Sequence, residues 1–138
     1  MKKYLCLTLM IIIAGCKCPF IHMVELGNNF ALVQVDDTDI LYDRKGKKEC
    51  YFSTESTEVV PSEVIAYNYD ERWIIAKSRT LKGCFYWIVD KQYNFSRLGY
   101  TEELKKQTIG PLDSLQFQKE KLKYNINLEL RNWNKIFT

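Results

Sequence analysis

The sequence predicts an α+β fold: a single small domain, mainly antiparallel β-sheet with C-terminal helices packed on one face. Three observations lead there. Residues 22–90 break into short runs rich in β-branched and aromatic side chains, separated by turn residues. Two of these runs, residues 71–79 and 84–90, are joined by Thr80-Leu81-Lys82-Gly83 as a hairpin. After Asp90 the pattern changes to segments with helix-start residues and helical spacing. A length of 138 residues fits one domain, and an apolar content of 46% with 14% aromatics can build a core.

Before the first strand the chain carries an address. Lys2 and Lys3 precede an apolar run over residues 4–14, interrupted only by Thr8. Eleven residues are too few for a bilayer span, which needs about 20, but they fit the core of a signal peptide. Ala14 and Gly15 then lead into Cys16. Ile13-Ala14-Gly15-Cys16 resembles the lipobox of bacterial lipoproteins. That resemblance implies that residues 1–15 are removed and that the Cys16 sulfur takes diacylglycerol. A membrane anchor of acyl chains then replaces any transmembrane helix. Residues 16–21 form the lipidated cysteine and a short tether, and residues 22–138 the globular domain. Lys17 follows the cysteine where inner-membrane lipoproteins of Gram-negative cells carry Asp. The cell envelope is therefore expected, with the periplasmic leaflet of the outer membrane favoured and a Gram-positive host left open. The five tether residues span at most about 18 Å.

Along the domain, residues 22–26 read as a first short strand and Gly27-Asn28-Asn29 as a turn. Residues 30–36 form a strand with Phe30, Leu32 and Gln34 on one face, and a turn at Asp37-Thr38-Asp39 leads to residues 40–43. Residues 44–48 are a charged loop, residues 50–53 a further short strand, and residues 54–61 a polar loop. Residues 63–69 place Ile65, Tyr67 and Tyr69 on one face. In the hairpin both faces are apolar, which predicts a central pair covered on both sides. Thr101 with Glu102 and Glu103 caps a short helix to about Thr108. Gly110-Pro111 ends it, and Pro111 starts a second helix with Leu112, Leu115 and Leu122 in one stripe. Residues 124–131 alternate apolar and polar and read as a last strand. Trp133, Ile136 and Phe137 can pack back on the domain.

Cysteine usage follows from the anchor. Cys6 leaves with the signal and Cys16 carries lipid, so Cys18, Cys50 and Cys84 remain. In an oxidising compartment Cys50–Cys84 is the preferred pair, and three unpaired thiols are the alternative.

Composition also narrows the chemistry. The net charge of +3 includes Lys2 and Lys3; without them 18 basic residues face 17 acidic ones, too even a balance for a nucleic-acid binder. His22 is the single histidine, which leaves little for a metal site or a triad. The acids at 36, 37, 39 and 43 suggest a calcium loop, but from Asp37 the sixth position is Tyr42 and the twelfth Lys48, where Gly and Glu are needed. No catalytic residue, metal or cofactor is assigned. Asp113-Ser114-Leu115 resembles the O-glycosylation sequon of some Gram-negative envelopes, and equally a helix start. The aromatics Tyr67, Tyr69, Trp73, Tyr86 and Trp87 crowd neighbouring strands, where they either fill the core or stack on a ligand such as a glycan or peptide.

Taken in order, Tyr67, Tyr69-Asp70, Arg72-Trp73-Ile74-Ile75-Ala76-Lys77, Tyr86-Trp87-Ile88-Val89-Asp90-Lys91 and Gly110-Pro111-Leu112 with Phe117 resemble a family of small, uncharacterised bacterial envelope lipoproteins. The resemblance covers about residues 60–120 and implies a small α+β domain without a known activity. The leading functional expectation is a non-enzymatic binding domain at the envelope, with a membrane contact through its lipid and a protein or glycan partner. The alternatives are an envelope enzyme with an unrecognised carboxylate site and an inhibitor or immunity-type lipoprotein.

Overall fold

Among the described residues every strand pairs antiparallel, and nearly every pairing joins neighbours in sequence. The computed structural model describes residues 22–34, 36–42, 56–61, 63–92 and 100–133. Within them, β1 (His22–Gly27), β2 (Phe30–Gln34), β3 (Thr38–Tyr42) and β4 (Thr57–Val60) form one sheet in that order. The second sheet has the order β8-β7-β6-β5-β9 and comprises β5 (Val64–Tyr69), β6 (Trp73–Thr80), β7 (Gly83–Asp90), β8 (Thr108–Leu112) and β9 (Arg131–Asn132). Two short helices, α1 (Tyr100–Gln107) and α2 (Ser114–Lys123), flank β8.

The turns follow from their residues. Gly27, Asn28 and Asn29 all have positive φ (85°, 50° and 67°), the region that Gly and Asn tolerate best, and they fold β1 back on β2. At the start of β6 the Asp70 carboxylate accepts from the backbone N–H groups of Arg72 (2.8 Å) and Trp73 (2.7 Å), a local bond that makes the corner.

Pairing by twos then sorts the side chains. In β6 and β7, Ile75 lies opposite Ile88 and Ile74 opposite Val89. Ile74, Ala76 and Val89 face a core shared with Leu26, Phe30, Leu32, Ile40 and Val60 of the first sheet, so the two sheets close on each other. Trp73, Ile75 and Ile88 face the other way, onto Phe117 and Ile126. The central, doubly covered hairpin is thus present, and Ile88 is fully buried.

At one end of the sandwich the sheets are tied by Lys91, which is only 4% exposed. Its Nζ donates to the Leu26 carbonyl, and the Asn28 amide donates back to the Lys91 carbonyl at 3.0 Å. Burial pushes the Lys91 ammonium below its ordinary pKa, against the opposing pull of Asp70 and Glu71.

Several expectations are corrected. Residues 57–60, read as polar loop, are β4, because Val59 and Val60 are buried and Val60 pairs across from Ile40. Gly110-Pro111 does not restart a helix. It lies inside β8, an edge strand, where a residue without an N–H is tolerated. The second helix begins three residues later. Asp113 caps it, accepting from Gln116 N at 2.8 Å while the Gln116 side chain accepts from Asp113 N at 3.0 Å.

The stripe on that helix is also different: Leu115 and Leu122 are exposed, and Phe117 and Lys121 are buried. Lys121 lays its stem along the core and puts its ammonium on Glu129 at 3.1 Å. Residues 126–130 keep the expected alternation of buried and exposed side chains but do not join a ladder; only Arg131 and Asn132 pair, with Tyr67 and Ala66. The two helices do not share a face, because Leu104 of α1 joins the core between the sheets and Phe117 of α2 the opposite cluster. The expected strand at 50–53 and the residues Ile136 and Phe137 lie outside the described residues.

Candidate functional site

A cleft of about 240 Å³ opens where the edge strands of the two sheets approach each other. Thr57, Glu58 and Val59 of β4 form one wall, Thr108 and Gly110 of β8 the other, with Leu104 and Lys105 of α1 at the end and Trp87 of β7 between them.

Trp87 is held from two sides. Its indole N–H donates to the Ser78 hydroxyl at 2.8 Å, and Ser78 is itself fully buried. Gly110 presses on the ring from β8: a Cβ placed there would lie 2.4 Å from Trp87 Cε3. Only a residue without a side chain lets this strand come so close. The Thr108 hydroxyl donates to the Leu104 carbonyl at 3.0 Å and fixes the joint between α1 and β8. One residue before it, Gln107 is buried with both side-chain polar atoms unpartnered among the described residues.

The cleft therefore offers a fixed aromatic ring, two hydroxyl-bearing residues, an acid and a base. Glu58 is exposed, and among the described residues its carboxylate has no ion pair. Stacking on the ring with polar contacts from the rim suits recognition of a small polar ligand or a short segment of chain. Glu58 contributes the one carboxylate among the described lining residues, whereas acid–base chemistry by paired carboxylates needs two. Among the described residues no group of three His, Cys, Asp or Glu side chains is placed to hold a metal.

The five aromatics singled out in the sequence are not one platform. Tyr67 and Tyr69 stack on each other at 6.4 Å, and Tyr67 meets the edge of Trp133 at 5.8 Å. Tyr67 is 4% exposed, and burial followed by the neighbouring Tyr69 raises its pKa. Trp73 lies on the opposite face, buried against Tyr124 at 5.3 Å. Tyr86 stacks on Phe117 at 4.8 Å. Trp87 is the member of the set that lines the cleft.

Cys84 is exposed and its thiol is free. Cys50 lies outside the described residues, and the expected Cys50–Cys84 bridge with it; so does Cys16. Sequence reasoning missed Glu58, Leu104, Lys105 and Thr108. The available signal was Gly110, a glycine beside a proline next to an aromatic strand.

Architecturally this is a sandwich of two antiparallel sheets with a cleft at one open edge. The chain belongs to the family described as Protein of unknown function (DUF3997), whose model matches residues 27–134. No curated protein and no solved structure matches it.

Proposed function

We propose that this is a lipid-anchored lipoprotein of the bacterial cell envelope whose domain binds a protein or glycan partner in the cleft over Trp87, without catalysing a reaction on it. The observation that carries the binding reading is the Trp87 ring, fixed by Ser78 and Gly110 yet open to a cleft instead of sealed in the core. An immobilised ring loses little freedom when a sugar or peptide packs on it, which favours recognition. The anchoring reading rests on Lys2-Lys3, the apolar run and Ile13-Ala14-Gly15-Cys16. The outer membrane is the preferred location because Lys17 follows the cysteine.

Two measurements test the proposal. Cys16→Ala should abolish incorporation of labelled palmitate and leave uncut precursor; continued labelling refutes the anchor. Tryptophan emission of the mature domain, titrated with peptidoglycan fragments and envelope glycans, should change for the native protein and for a Trp73→Phe variant. It should stay flat for Trp87→Phe. A response that persists without Trp87 places recognition elsewhere.

A further inference from the structure

Resting on the lipid anchor just proposed, we propose that the tip of the β6–β7 hairpin is a second membrane contact, with Leu81 entering the lipid surface beside the tether. The topology places it there. His22, the first described residue, pairs with Gln34, and Gln34 pairs with Thr38, so the start of β1 lies at the same end as the β2–β3 turn. Asp37 of that turn lines a shallow depression together with Glu63, Arg79, Thr80 and Leu81. The hairpin tip, the β2–β3 turn and the start of the domain therefore share one end of the sandwich. The Lys91–Leu26 tie marks the other end, roughly 26 Å away along the eight residues of β6.

Only residues 17–21 separate His22 from Cys16, a reach of about 18 Å at full extension. A lipid on Cys16 holds this end of the domain against the bilayer. The tether itself is Lys-Cys-Pro-Phe-Ile, whose Phe20 and Ile21 suit an interface better than open water.

Leu81 has no part in the fold. It is fully exposed, at 108% of its reference area, in a turn position where polar residues and glycine are favoured. Lys82 beside it is exposed and suits anionic headgroups, while Arg79 is held on Glu63 at 3.0 Å. Asp36 and Asp37 are exposed at the same end and stay at headgroup level, so the approach is through Leu81. An aliphatic side chain presented at a β-turn, flanked by a lysine and close to a lipid tether, matches a surface that dips a short way into the acyl boundary.

The test uses the full lipidated chain in vesicles of phosphatidylethanolamine and phosphatidylglycerol, with and without dibrominated acyl chains. A tryptophan probe is placed by Leu81→Trp, or by Glu71→Trp at the far end, and the emission of the native chain is subtracted. The probe at 81 should be quenched at least twofold more than the probe at 71 and should emit further to the blue. Equal quenching of the two probes in chains that float with the vesicles overturns the contact and leaves the anchor standing. Chains that do not float with the vesicles overturn the anchor, and the hairpin contact falls with it.

Discussion

Gly110→Ala isolates the contact that shapes the cleft. The new Cβ would meet Trp87 Cε3 at 2.4 Å, Trp87 Cδ2 at 2.9 Å and the Tyr86 carbonyl oxygen at 3.0 Å. It would also sit at φ +155°, a region that L side chains rarely adopt. Overpacking of this kind costs about 1–3 kcal/mol, and a strained backbone position about 1–3 kcal/mol. Together they predict a loss of about 2–6 kcal/mol, a large part of the 5–15 kcal/mol that holds a typical domain. The two parts can be separated. In a Trp87→Ala background the ring is gone, and the cost of Gly110→Ala should fall toward the strain at this φ, about 1–3 kcal/mol, with the close approach to the Tyr86 carbonyl oxygen remaining. Urea unfolding followed by far-UV circular dichroism measures both costs, provided the slope with denaturant is unchanged. If the cost of Gly110→Ala is the same in both backgrounds to within about 0.5 kcal/mol, the two sites are independent and the ring does not rest on Gly110.

Three further outcomes are expected. Ile88→Ala, fully buried between Ile75 and Phe117, should cost about 2–5 kcal/mol in the same unfolding experiment; a loss below about 1 kcal/mol contradicts its place in a covered central strand. Lys91→Met should remove a pH dependence. The folded chain gives up this proton at a lower pH than the unfolded chain, so the native protein should gain stability relative to the variant as pH rises from the depressed value to about 10.4; a flat or falling difference sinks the argument. The raised Tyr67 phenol acts in the opposite sense above about pH 10, and it is present in both proteins, so it cancels in the comparison. Alkylation mass spectrometry of the non-reduced mature protein should label Cys84, whose thiol is exposed and free; protection of Cys84 together with Cys50 contradicts that placement.

The β6–β7 hairpin was legible because two nearly continuous apolar, β-branched and aromatic runs flank a turn, and the register puts Ile74 and Val89 on one face and Ile75 and Ile88 on the other. The first turn was legible because Gly27-Asn28-Asn29 can take the positive φ angles it uses. The phase of α2 was not. Leucines dominate a hydrophobicity pattern, yet the helix buries Phe117 and the stem of Lys121 and leaves Leu115 and Leu122 in solvent. Nor was β4, whose two valines follow a polar stretch and gain their place only by pairing with β3. The cleft was illegible for a different reason. Glu58, Trp87, Leu104 and Gly110 come from four elements spread over fifty residues of chain, and local periodicity carries no information on which edges meet. What the sequence did carry was the outlying aromatic itself, one of five that were singled out.

The order of pairing has a consequence for how the molecule assembles. Strands β1 to β4 zip onto one another in sequence, and β5 to β8 do the same, so each sheet grows by steps between strands that follow one another along the chain. Synthesis delivers the first sheet complete before the second begins, and a chain emerging N-terminus first can settle one half while the other is still being made. The exception is β9, whose Asn132 must find Ala66 across sixty-six residues. That last strand is only two residues long, yet it brings Trp133 onto Tyr67 and fastens the free side of β5. It works as a final stitch: the finished sheet cannot exist until residues 131 and 132 have emerged, after its other four strands.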